Sequence, residues 1–409
     1  MNVVIVGSGV AGITAAKFLR ESASDVEVKV YTDESHLYYP RPRLYEVLSG
    51  EKEPEGIYPF ARSWYERNGI DVHLGKKALS IDIDGKKLAL DDGSRISYDS
   101  LLLANGAHPF VPSVKGAEKM GVFTLRTIED ALTIKRYAKN MEKAIVIGGG
   151  LLGIEFAACL RKLGQQVQVI GGQPRLLPMQ LDQQGSSMLR DHLETLGIES
   201  KLGVKINEIL GKDAVSGVSL DNGEKVSGGL VMIATGVEPN AQLAAASGIK
   251  VNKGIVVDQY LQTSASSVFA AGDVCEFQGQ IYGIIPPAVD QARVASMNML
   301  KKESHIYKGS TRFTTLKVSD ISITSIGLAN LEKSGYEEIR RIDERECVYK
   351  KIVLDHGRIV GAILMGDRRD ASTLMKLVDG KADVTNYKER LLEDDFDYNQ
   401  VLQKQSLNA

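Results

Sequence analysis

The stretch Ile147-Gly148-Gly149-Gly150-Leu151-Leu152-Gly153-Ile154-Glu155 decides how this chain reads, because it repeats in variant form a turn at the very start, Val6-Gly7-Ser8-Gly9-Val10-Ala11-Gly12. Each follows an apolar run, Asn2-Val3-Val4-Ile5 in the first case and Ala144 to Ile147 in the second. Each also opens a segment with helical spacing. In such a turn the first glycine permits the tight bend and the second lets the backbone approach a pyrophosphate. The third brings helix and strand close, with the helix N-terminus facing the phosphates. One such turn is weak evidence, and its context supplies the strength. Gly7, Gly9 and Gly12, with Val10 and Ala11 between them, therefore form one candidate dinucleotide site, and Gly148, Gly150 and Gly153 a second. Two such sites in one chain imply two dinucleotides that meet.

Working outward from the first turn, residues 10 to 20 read as a helix and Val26 to Tyr31 as the next strand. An acid at the end of that strand would bind an adenosine ribose. Thr32 holds the usual place, and Asp33 and Glu34 follow, so one of these two carboxylates takes the role or both are exposed turn acids. Val72 to Leu90 alternates apolar and polar residues around Asp84-Gly85, a hairpin signal. The strand Ser100-Leu101-Leu102-Leu103-Ala104 ends at Asn105-Gly106, and Pro109 and Pro112 mark a crossing between domains.

Around the second turn, the spacing predicts a helix over Ile154 to Leu163, a strand over Gln166 to Ile170 and a helix over Gln183 to Leu196. Leu230-Val231-Met232-Ile233-Ala234-Thr235-Gly236 mirrors Leu101 to Gly106, which points to a duplicated unit. Val268-Phe269-Ala270-Ala271-Gly272-Asp273-Val274 reads as a buried strand ending in Gly-Asp. There Asp273 can accept hydrogen bonds from a polyol, and Gly272 allows close approach. A helix is expected from Pro287 to about Lys301. Further on, Lys350 to Met365 reads as a hairpin about an Asp-His-Gly turn, Asp370 to Asp379 has helical spacing, and Glu389 to Asp397 reads as an acidic, mobile tail.

A chain of 409 residues, 43% hydrophobic and 25% charged, has room for two or three soluble domains. A formal net charge of -2 gives no global attraction to nucleic acid or membrane. Cys159, Cys275 and Cys347 lie far apart, unlike a redox dithiol, a metal knuckle or a secreted disulfide framework. No apolar run approaches the roughly 18 residues of a membrane span. These features predict a cytoplasmic protein without a metal site.

With these motifs in place, the chain resembles the two-dinucleotide flavoprotein family of pyridine-nucleotide oxidoreductases over residues 1 to 305. The paired glycine turns, Ile233-Ala234-Thr235-Gly236-Val237-Glu238-Pro239-Asn240 and Thr263 through Asp273 carry the likeness. The implied fold is α/β, with two Rossmann-like domains and a small α+β domain. FAD would occupy 1–112 with 241–311, NAD(P)H would occupy 113–240, and 312–409 would be the C-terminal α+β domain with its acidic tail. Tyr38-Tyr39-Pro40-Arg41-Pro42-Arg43-Leu44 is similar to a segment of rubredoxin, ferredoxin and related flavin reductases. By that likeness Arg41 contacts the FAD pyrophosphate, Ala78 presents its backbone to adenine, and Arg126 lies near FAD. Ala104, Gly106, Gly236 and Ile285 join the cofactor-binding set, and Glu155 is the catalytic candidate near the flavin–nicotinamide contact. The C-terminal part resembles the small domain of rubredoxin reductases and the flavin portion of nitrite reductase large subunits.

The departures carry information too. Disulfide reductases of this family hold cysteine near the segment 38 to 50, where this chain has none. A thiol relay is therefore not expected, and electrons would leave directly from the flavin. Asn105 stands where the family has threonine, and Gly171-Gly172 stand where an NADH-preferring enzyme shows an acid, so NADH versus NADPH is open. The implied activity is transfer of hydride from NAD(P)H to FAD and of electrons to a small acidic protein such as rubredoxin or ferredoxin. Arg41, Arg43 and Arg62 would help to steer that partner. The alternatives are a diaphorase subunit of a nitrite reductase-like complex, an NADH oxidase, and a slow-reacting redox-sensing flavoprotein. Homo-oligomer formation is left open.

Overall fold

Strand Asn2–Val6 is the middle of a five-stranded parallel sheet ordered Val268–Ala270, Ser100–Leu103, Asn2–Val6, Glu27–Tyr31, Ile70–His73. Val4 aligns with Lys29 on one side and Leu101 on the other. Strands paired on both edges and covered on both faces read as unbroken apolar runs. Here Val3, Val4, Ile5, Leu101, Leu102 and Leu103 are all 0% exposed. Burial of each such side chain contributes about 1.5–3 kcal/mol. Helix Val10–Ser22 packs against helix Ile285–Leu300, where the Ser296 hydroxyl donates to the Ala15 carbonyl at 3.3 Å.

The computed structural model describes residues 1–318, 320–330 and 335–407. The chain forms two compact units, Met1–Pro109 with Val237–Ser310 and Phe110–Gly236 with Thr311–Ala409.

The second unit repeats the first architecture in a parallel sheet ordered Ile198–Leu202, Gln166–Gly171, Lys143–Ile147, Leu230–Ile233, Val122–Phe123. Each unit also carries a three-stranded antiparallel meander, Ala78–Asp82 to Arg95–Ser97 in one and Ile206–Leu210 to Lys225–Ser227 in the other. The duplication seen in the sequence is thus a duplication of topology. Helix Leu151–Lys162 begins three residues before the expected Ile154. The expected start leaves Gly153 in the turn as its third glycine. Its missing side chain is required by contact with the turn below it.

The second unit also contains an antiparallel sheet ordered Phe313–Val318, Ile321–Gly327, Arg358–Met365, Val348–Asp355, Glu337–Asp343. Its central hairpin turns at His356 and Gly357, with φ of 47° and 76°. Helix Ala371–Asp379 covers one face through Leu374 and Leu377. The architecture is therefore α/β with parallel Rossmann-type sheets plus a C-terminal antiparallel sheet domain. The segment Glu389 to Asp397, expected as a mobile tail, packs instead. Leu391 and Phe396 join the core, and Arg341 grips Asp394 with two bonds of 2.7 Å. Its acidic residues hid the apolar ones spaced between them.

Candidate functional site

The two glycine turns share one geometry. Gly7 has φ +103°, and a Cβ there would stand 2.3 Å from the Ala104 carbonyl oxygen. A Cβ on Gly12 would stand 1.9 Å from the Gly7 carbonyl oxygen. In the second turn Gly148 has φ +122°, with a Cβ 2.2 Å from the Ala234 oxygen, and a Cβ on Gly153 would meet the Gly148 oxygen at 1.8 Å. These four glycines are fixed by the fold's own packing. Gly9 and Gly150 differ, since a Cβ on either meets nothing within 4 Å. Among the described residues nothing demands glycine there, which suits close approach by a bound molecule.

Both turns also put glycine at the N-cap of a helix. Gly9 and Gly150 are N-cap residues without a side-chain cap, and neither helix carries an acid in its first turn. By contrast, Thr127 and Asp130 form a full capping box on helix Ile128–Ala138, and Asp182 caps helix Gln183–Thr195. The amides of the first helical turn, which have no partner within their own helix, follow Gly9 at Val10–Gly12 and Gly150 at Leu151–Gly153. An open second glycine and an N-cap without a side chain fit a pyrophosphate at each turn.

The first unit gathers its other predicted residues at the C-terminal ends of its strands, the usual crevice of open α/β sheets. Asp33 and Glu34 follow strand Glu27–Tyr31, Ala104 and Gly106 follow Ser100–Leu103, and Gly272 and Asp273 follow Val268–Ala270. Gly272, at φ +85°, would place a Cβ 3.0 Å from the Ala11 methyl, and its N–H donates to Gln291 Oε1 at 2.8 Å. The segment carrying Ala78 is tied to the same strand end, because the Gly75 and Lys76 amides donate to the Glu34 and Thr32 carbonyls at 2.9 and 2.7 Å. Ile285 is the first residue of its helix and 38% exposed.

The two acids after Thr32 are not equivalent. Glu34 is half-buried and receives the Arg41 guanidinium, one bond being 3.1 Å, together with the Tyr39 hydroxyl. Asp33 is exposed. Arg43 is likewise held by Glu46 at 2.7 and 2.8 Å. Two of the three arginines expected to steer a partner are thus neutralised within their own loop, and Arg62 stays exposed on its short helix.

In the second unit, Gly171 and Gly172 close strand Gln166–Gly171, and Gly236 follows Leu230–Ile233 at φ +120° with open space where a Cβ would be. Glu155 is half-buried in the helix that starts at Leu151. Arg126 lies just ahead of helix Ile128–Ala138, its N–H bonded to Asp130 at 2.9 Å. Arg126 belongs to the second unit.

The cysteines are unsuited to redox relay. Cys159 and Cys275 are buried, and burial together with the Glu276 charge pushes the Cys275 thiol far up. Cys347 is half-buried and shifted up by burial and nearby carboxylates. Reactive cysteines need the thiolate. Sequence reasoning missed the polar residues that brace the sites, the buried Gln291 behind Gly272 and the half-buried Asn240 behind Asn105.

Residues 1–297 match the family described as pyridine nucleotide-disulphide oxidoreductase, and residues 313–382 match the rubredoxin NAD+ reductase C-terminal domain. A nitrite reductase [NAD(P)H] of Bacillus subtilis is 37% identical over 385 residues, covering 94% of this chain and 48% of that protein. An NADH-rubredoxin oxidoreductase of Clostridium acetobutylicum is 31% identical over 391 residues, 94% of this chain and 96% of that protein. The structure of a ferredoxin reductase from Rhodopseudomonas palustris superposes with a TM-score of 0.86 at 28% identity, covering 98% of this chain and 99% of that one. The chain spans about half the length of the nitrite and nitrate reductase relatives from Bacillus subtilis that it matches. Proteins of these kinds use FAD with NADH or NADPH.

Proposed function

Because the chain belongs to the pyridine nucleotide-disulphide oxidoreductase family, we propose that it is an FAD-dependent NAD(P)H:acceptor oxidoreductase that delivers electrons to a small acidic redox protein of the rubredoxin or ferredoxin type. The observation that carries this reading is the paired geometry of the two turns, each with an open second glycine and an uncapped helix. FAD, when bound, takes up hydride from the nicotinamide and releases electrons to an acceptor. The protein's share is binding and orientation. Gly7 to Gly12 would hold the flavin dinucleotide's pyrophosphate, and Asp273 its polyol. Asp33 would hold its ribose, since Glu34 is engaged by Arg41 and Tyr39. Gly148 to Gly153 would hold NAD(P)H, with Glu155 as the proposed catalytic residue on the nicotinamide side.

The absence of cysteine between residues 38 and 50, and the burial of Cys159 and Cys275, support direct transfer from flavin to partner. Among the described residues no helix is long and apolar enough to cross a membrane, and we place the protein in the cytoplasm. The test is anaerobic rapid mixing of the flavin-loaded protein with NADH or NADPH, followed by a screen of rubredoxin, ferredoxin, dye and oxygen as acceptors. Bleaching of the flavin and fast reduction of rubredoxin or ferredoxin are expected. A flavin that neither nucleotide bleaches ends the reading.

A second reading is a diaphorase subunit of a nitrite-reducing complex, favoured by the 37% identity to half of a nitrite reductase. Poor turnover with small redox proteins, together with a co-purifying nitrite-reducing partner, would select it.

A further inference from the structure

The loop from Gly171 to Asp182 leaves the strand end beside the second glycine turn and folds back onto that turn. The Leu177 N–H donates to the Gly149 carbonyl at 2.8 Å, and a Leu176 methyl lies 3.1 Å from where a Gly149 Cβ would stand. Leu177 has φ 47°, a region that leucine enters only when its surroundings force it. Leu176, Leu177 and Leu181 are all 0% exposed.

What fixes the far end of this loop comes from the antiparallel sheet domain. Asn330 Nδ2 donates to the Pro178 and Leu181 carbonyls at 2.6 and 2.9 Å. Asp182 Oδ2 accepts from the Tyr349 hydroxyl at 2.6 Å and from the Lys351 ammonium at 3.1 Å, while its Oδ1 caps Gly185 at 3.0 Å. Lys351, 1% exposed, lies 2.7 Å from Glu338 Oε1, and Arg340 completes the group 3.7 Å from Asp182. Two anions and two cations thus balance. Burial raises the Asp182 carboxyl, but Tyr349, Gly185 and Lys351 outweigh it and hold the group below the usual carboxylate range. Burial and the Asp182 charge push the Tyr349 hydroxyl up, so it stays a donor.

Apolar residues of similar volume would pack such a site as well as the ions do or better. What the ions add is a defined position for Asp182, and through it for the loop. We propose that the C-terminal domain completes the nicotinamide-nucleotide site. Asn330, Tyr349 and Lys351 are positioning residues that hold loop 171–182 against the glycine turn and so set nucleotide affinity. The proposal rests on the reading that the second turn binds NAD(P)H, and it gives the C-terminal domain a part in that binding.

The test uses the full-length, flavin-loaded protein and its Tyr349→Phe, Asn330→Ala and Lys351→Met variants. Arg341→Ala serves as a control, since it breaks a contact with Asp394 inside the C-terminal domain. Equilibrium titration with NAD+ and NADP+ gives Kd, and amide hydrogen exchange is read at Leu177, Gln180, Leu181 and Gly185. Tyr349→Phe keeps the ring volume, so its folding is not in question even where Lys351→Met fails to fold. Tyr349→Phe and Asn330→Ala should raise Kd by about 3- to 10-fold and speed exchange at those four amides, with Arg341→Ala changing neither. Faster exchange with unchanged Kd overturns the proposal, as does no change in either. Wild-type protein that binds neither nucleotide sinks the functional reading itself, a result distinct from normal binding that ignores the substitutions.

Discussion

Asn105 and Asn240 clasp each other reciprocally. The Asn105 side-chain amide donates to the Asn240 carbonyl at 2.7 Å, and the Asn240 amide donates to the Asn105 carbonyl at 2.6 Å. Beside them, Ala107–Pro109 and Val237–Pro239 pair as antiparallel strands, and the His108 ring contacts Asn240 Oδ1 at 2.7 Å. The asparagine that departs from the family's threonine is thus one half of a matched pair. Asn240→Ala should lower stability by about 1–2 kcal/mol, read as the denaturant midpoint of unfolding. Asn105→Thr should cost less, because each substitution removes one arm but only Asn240→Ala also removes the contact with the His108 ring. Equal midpoints for all three proteins would refute the clasp.

The glycines of each turn should separate into two classes on substitution. Gly12→Ala and Gly153→Ala force a methyl to within 1.9 and 1.8 Å of a backbone oxygen. They should destabilise by more than the roughly 1–3 kcal/mol of ordinary overpacking and yield little soluble protein. Gly9→Ala and Gly150→Ala meet open space and ordinary backbone angles, so the chain should fold. Gly9→Ala should then purify with depleted flavin. Gly150→Ala should keep its flavin and show a raised KM for NAD(P)H. Flavin content and steady-state kinetics check both.

Gly172→Glu places a carboxylate after strand Gln166–Gly171, where Gly172 is exposed. A carboxylate there accepts from a ribose 2′-hydroxyl and repels a 2′-phosphate. Whatever the starting preference, the ratio of kcat/KM for NADH over NADPH should rise by about tenfold, the worth of one charged hydrogen bond. A ratio that stays put or falls would remove this residue from the ribose site.

Glu276 should govern part of the acid limb of stability. It is 3% exposed and accepts from Asn252 Nδ2 at 2.8 Å and from the Lys253 and Gly254 amides at 2.8 and 2.9 Å. Burial works to raise its carboxyl, but these donors outweigh burial and hold it below the usual range. A carboxyl depressed in the folded state binds its proton more readily in the unfolded chain. Its stabilisation is therefore whole above the unfolded value of about 4 and is lost as pH falls through the folded value. Glu276→Gln should be less stable at pH 7 and flatter below pH ~4, as followed by unfolding midpoints across pH.

The glycine turns were legible because backbone contact leaves no alternative residue at Gly7, Gly12, Gly148 and Gly153, so spacing alone betrays them. The parallel strands were legible for a similar reason, being apolar at every position. The difference in surroundings between Asp33 and Glu34 was not, since it depends on Arg41 and Tyr39 folding back from the next loop. Asp182 could be read as a helix cap from its place before Gln183. Its bond to Lys351 joins residues 169 positions apart, and no local pattern announces a pair of that kind. The packing of Leu391 and Phe396 was masked by the acids around them.

The glycine N-caps at Gly9 and Gly150, which give no side-chain bond, have a consequence for the life of the protein. A side-chain cap is worth about 1 kcal/mol, and this chain uses such caps at Thr127 and Asp182 while omitting them at its two glycine turns. Part of what should keep the polypeptide folded therefore lies outside its own sequence, in molecules it must collect after synthesis. Freshly made chains in a riboflavin-starved cell would be the ones most exposed to proteolysis, so vitamin supply would set abundance before it set rate.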